Sequence, residues 1–84
     1  MNAKSAVKSA VQFVVQVGSV QSSLWDTVYE VKPITEYELK NAFAVYMNPR
    51  QVGAPDGMGM KKRLLAIGPD GRETELAASF VELF

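Results

Sequence analysis

The stretch Ile34-Thr35-Glu36-Tyr37-Glu38-Leu39 constrains this chain more than any other, because it carries a full set of helix-starting signals. Thr35, followed three residues on by Glu38, is a capping box. The hydroxyl accepts from the Glu38 amide while the carboxylate reaches back to the Thr35 amide. Ile34 and Leu39 stand at the two positions of a hydrophobic staple. Asn48-Pro49 ends the helix about three turns later, since proline disfavours helical backbone in the residue before it. The spacing predicts a helix over residues 36–47 with Leu39, Ala42, Phe43, Tyr46 and Met47 on its buried face.

A helix with one apolar stripe needs a surface to lie on, and the flanking segments supply strands. Residues 10–17 place Val11, Phe13, Val15 and Val17 on one side, with Gln12, Val14 and Gln16 on the other. A helical register joining Val7, Val11, Val14 and Gly18 competes, but the crowding of β-branched residues favours the strand. Residues 25–32 alternate again: Trp25, Thr27, Tyr29 and Val31 are expected on the core side, and Asp26, Val28, Glu30 and Lys32 on the outside.

Residues 61–67 and 72–78 read as two more strands, joined by Gly68-Pro69-Asp70-Gly71. In that turn proline presets the first central position, aspartate suits the second, and glycine takes the left-handed conformation that follows. The expected fold is α+β: an antiparallel sheet of two hairpins with one helix packed across it, ββαββ, as one small domain over residues 1–84. Residues 1–9 read as a mobile arm or a short first helix. At the far end, Leu76, Phe80, Leu83 and Phe84 fit a helical stripe, whereas Ser79, Val81 and Leu83 fit a strand.

Composition removes several function classes. The chain has no cysteine and no histidine. That excludes a disulfide framework and a thiolate zinc site, and it removes the commonest general base and metal ligand. The paired carboxylates Glu36/Glu38 and Glu73/Glu75 read as helix-dipole and strand-surface charges. Lys4/Ser5 and Lys8/Ser9 lack the surroundings that activate a nucleophile. No enzyme, cofactor or metal is therefore expected. Lys4 and Lys8 ahead of an apolar run mimic a signal peptide only loosely, and no stretch is long enough to span a bilayer, so the expectation is a cytoplasmic protein with no membrane partner.

Nine basic and nine acidic residues cancel, which argues against holding nucleic acid by bulk charge. The distribution is uneven all the same. Residues 49–66 carry Arg50, Lys61, Lys62 and Arg63 against Asp56 alone, while residues 67–84 carry Asp70, Glu73, Glu75 and Glu82 against Arg72. The basic cluster flanks residues 48–60, an irregular connection rich in proline and glycine and long enough to be functional. Met58 and Met60, with Val52, suit a surface that repacks against a protein partner.

The expected function is accordingly a small non-enzymatic protein-binding module, a regulator or inhibitor of a larger machine in the manner of phage-encoded accessory proteins. It would act through Arg50, Val52, Met58, Met60, Lys61, Lys62 and Arg63. The alternative is a nucleic-acid or nucleotide binder in which Arg50, Lys61, Lys62 and Arg63 contact phosphates. A homodimer is also expected, built on a sheet face carrying Val14, Val28 and Val81 that one helix leaves uncovered.

Overall fold

A computed structural model of the chain describes residues 3–48 and 60–76. The elements run α1 (Ala3–Ser9), β1 (Gln12–Ser19), β2 (Asp26–Val31), α2 (Glu36–Met47), β3 (Met60–Ile67) and β4 (Glu73–Glu75). All strand pairs are antiparallel, in the spatial order β2-β1-β3-β4. The ββαββ arrangement holds, with α1 added in front. Of the two readings given for residues 1–9, the short helix is the one found over Ala3–Ser9. Residues 79–84 lie outside the described residues, as do Arg50, Val52 and Met58.

The capping box forms as the sequence requires. The Thr35 amide and hydroxyl both donate to the Glu38 carboxylate, and the Thr35 hydroxyl accepts from the Tyr37 amide at 3.2 Å. These bonds hold the Glu38 carboxyl below the usual carboxylate range, since they favour its charged form. The staple does not form: Ile34 is 82% exposed while Leu39 is 1% exposed. Asn48 closes the helix, its amide donating to the Ala44 carbonyl.

The buried face of α2 is Leu39, Ala42, Phe43 and Val45, with Tyr46 packed beside them. Met47, expected in this stripe, is 69% exposed. The buried arc is centred nearer Ala42 than Leu39, which draws Val45 in and turns Met47 out. Below the helix lie Phe13, Val15, Leu64 and Ala66 from the sheet. Ala6 of α1 and Leu76, just past β4, extend the same cluster. Both helices therefore cover one face of the sheet. Burial of these side chains against one another is the main source of stability in so small a fold.

A bulge corrects the expected facing of β2. Val15 lies opposite Tyr29 but Gln16 lies opposite Thr27, so Val28 is an extra residue in the ladder. One inserted residue reverses the side to which every preceding side chain points. Tyr29 and Val31 stay on the core side, and Val28, expected outside, packs against the core as well. Trp25, expected inside with Tyr29, is carried to the side that no helix covers among the described residues, the helix-free side. Val11 precedes β1 and is 48% exposed instead of lining the core.

The β3–β4 turn matches its sequence closely. The Gly71 amide donates to the Gly68 carbonyl at 2.9 Å, Asp70 accepts from the Arg72 amide at 3.0 Å, and Gly71 has φ +84°. The left-handed backbone at that position is why glycine stands there.

Candidate binding surface at the hairpin end of the sheet

The run Met60-Lys61-Lys62-Arg63 opens β3, and strand alternation splits it. Lys61 lies opposite Gly18, Lys62 opposite Val17 and Arg63 opposite Gln16. Lys61 and Arg63 thus share the helix-free face, while Lys62 and Met60 share the helix-covered one. The four cations expected to converge do not form one patch: two are on one side, one is on the other, and Arg50 is outside the described residues.

Lys62 reaches the carboxyl end of α2. Its Nζ donates to the Met47 carbonyl at 3.4 Å and lies 4.9 Å from the centre of the Tyr46 ring. The last turn of α2 contains no basic residue of its own. A lysine supplied from β3 meets the negative end of the helix dipole instead.

On the helix-free face the other two cations converge on one aromatic ring. The Lys61 Nζ is 4.3 Å from the centre of the Trp25 indole, and the Arg63 guanidinium carbon is 4.0 Å from it. Lys61 also donates to the Ser22 carbonyl. Arg63 Nε donates to Gln16 Oε1 at 2.8 Å, and Gln16 Nε2 in turn donates to Thr27 Oγ1 at 3.1 Å. A polar row therefore crosses three strands, and its Arg63 end lies over the indole. One step along the strands lies the buried pair Val14 and Leu65, and beyond it a second polar contact from Gln12 to Glu30 at 3.1 Å.

Close approach of backbone completes this corner. A Cβ at Gly18 would lie 2.6 Å from the Leu24 carbonyl oxygen and 3.1 Å from the Lys61 side chain. Glycine at 18 lets residues 19–25 fold back beside the sheet and deliver Trp25 to the cations. That tip is held by its serines: Ser19 accepts from the Gln21 amide and Ser22 from the Leu24 amide. It exposes large apolar side chains all the same, with Val20 at 59% and Leu24 at 75%.

The residues expected to drive self-association fare differently. Val14 is 6% exposed, Val28 packs on the core, and Val81 lies outside the described residues. Sequence reasoning also missed a cavity of about 250 Å³ at the other end of the sheet, between α1 and the β3–β4 turn. Ala6, Ala66 and Pro69 line it, with Asp70, Arg72 and Thr74 at its polar positions. Its walls come from α1, β3, β4 and the turn between those strands, and no local pattern encodes the proximity of α1 to the rest.

Among the described residues no group of three or more histidine, cysteine, aspartate or glutamate residues is placed to hold a metal ion. No described helix is long and apolar enough to cross a membrane. Compared with protein-family models, curated proteins and solved structures, the chain gives no significant match.

Proposed function

We propose that this chain is a small protein-binding module that regulates or inhibits a larger partner, working through the hairpin end of its sheet in a reducing, cytoplasmic compartment. One observation carries the reading. Trp25 is fixed beneath Lys61 and Arg63 next to the exposed Val20 and Leu24, and Lys62 ties the exposed Met47 to the same end of β3. Tryptophan and arginine beside exposed apolar side chains are the residue types that dominate the energetics of protein interfaces. Residues 48–60, expected to contribute to binding, connect Asn48 and Met60 at this same end.

The phosphate-binding alternative gains less from the geometry. Lys62 faces away from Lys61 and Arg63, so the cations expected to converge on a phosphate are divided between the two faces of the sheet. Capture from a nuclease-treated lysate tests the proposal. Leu24→Glu and Met47→Glu should abolish capture, whereas Ile34→Glu, at the amino end of α2, should leave it intact. Equal capture by all three variants, or loss on nuclease treatment of the wild type, would overturn the reading.

A further inference from the structure

The corner built around Trp25 is unevenly matched in charge, and the mismatch says what should dock there. Among the described residues Lys61 and Arg63 meet a carbonyl, an amide and an aromatic ring, and neither meets a carboxylate. Arg63 uses Nε on Gln16, which leaves both terminal nitrogens of its fork without a described partner. A guanidinium lying on an indole and tethered through one nitrogen has little rotamer freedom left to lose when the fork closes on a carboxylate. Lys61 places a second positive charge over the same ring. Leu24 and Val20 stand exposed on the adjoining tip.

The opposite side of the corner is bounded by acids. Glu30 lies opposite Val14, and Glu75 lies opposite Leu65, one step along the strands from Arg63. A nucleic-acid backbone needs a continuous track of cations, and here the track ends after two. A short acidic segment needs only the local match. We infer that this corner docks an acidic peptide segment of the partner protein, with one carboxylate on the Arg63 fork and a neighbouring apolar side chain against Leu24 and Val20. This inference rests on the protein-binding reading and names the chemistry of the partner.

Trp25 is the sole tryptophan, so its emission reports directly on the corner. The intact protein is titrated with a synthetic peptide of alternating Glu and Leu, with its Gln-for-Glu counterpart, and with oligothymidylate, while sedimentation velocity follows self-association. The acidic peptide alone should give a saturable change that weakens as salt rises. Arg63→Gln should weaken binding about tenfold, and Arg63→Lys nearly as much, since the charge stays but the fork is lost. Lys61→Gln should weaken it about threefold. Lys40→Gln, a cation over the Tyr37 ring on α2, should change nothing. Circular dichroism confirms that each variant is folded.

An equal response to the neutral peptide, tighter binding of oligothymidylate, or dimerisation that Arg63→Gln abolishes would each overturn the inference, as would no saturable change at all. Its failure is separable from that of the broader reading. If lysate capture is lost with Leu24→Glu but survives Arg63→Gln, a protein partner remains and the acidic segment does not.

Discussion

The helix-covered and helix-free faces of the sheet share the same strands, yet different physics holds each together. On the covered face Phe13, Val15, Leu64 and Ala66 are at most 1% exposed under two helices, and the contact among them is apolar. On the free face a row of hydrogen bonds from Arg63 through Gln16 to Thr27 crosses the strands, and two cations lie on one indole. Arg63, Leu64 and Leu65 are consecutive, and alternation alone sends Leu64 to the core and its neighbours to the other side. The contrast teaches that apolar burial and polar, cation–aromatic contact are divided between the two faces of a single sheet, and on the proposed reading the second serves binding. Changes on the covered face should unfold the protein. Changes at the Trp25 corner should alter what it binds and leave it folded.

The sharpest way to break this comparison is Leu64→Ala. It removes a fully buried side chain from the centre of the cluster and should cost about 3 kcal/mol, read as a lowered urea midpoint. A loss below about 1 kcal/mol would mean that the covered face is not where the stability resides. Gly18→Ala comes next, at about 2 kcal/mol, because the new methyl meets the Leu24 carbonyl at 2.6 Å. Its emission spectrum should also shift, since the tip that carries Trp25 must move. An unchanged midpoint and spectrum would show that the hairpin tip is not packed against the sheet.

Thr35→Ala should cost about 1 kcal/mol by removing the cap, on neither face of the sheet. Its pH dependence has a definite sign. The Thr35 bonds lower the Glu38 pKa in the folded state, so that part of the stability is present above the ordinary carboxylate range. It disappears as pH falls through the lowered value. The difference between wild type and Thr35→Ala should therefore be constant near neutrality and narrow in acid. A difference that widens in acid would reverse the assignment. The smallest effect belongs to the free face: Arg63→Gln should change folding stability by less than about 1 kcal/mol while altering binding. A larger loss of stability would make the Trp25 corner structural.

Much of the fold was legible because its signals are local. The capping box at Thr35 and Glu38, the turn at residues 68–71 and the alternation of β1 each depend on residues close in sequence. Trp25 was misassigned because alternation counts positions and cannot see an inserted one. The bulge at Val28 exists only in the pairing of β2 with β1. Ile34 and Met47 were misassigned for a related reason. Their burial depends on where the sheet meets α2, and the helix repeat leaves that rotation open. Lys61, Lys62 and Arg63 read in sequence as one patch. Reading them as strand positions divides them, and only the partners found across the fold show what each one does.

By itself, the sequence determined the element types, their order and the α+β class, since hydrogen-bond capping, turn geometry and side-chain periodicity act within a few residues. The tertiary structure alone decided the sheet order β2-β1-β3-β4, the extra residue at Val28 and the meeting of Trp25 with two cations from a strand more than thirty residues away. The physical reason is that a contact between distant segments depends on register and on the face each strand presents. Both are settled by the packing of the whole chain at once.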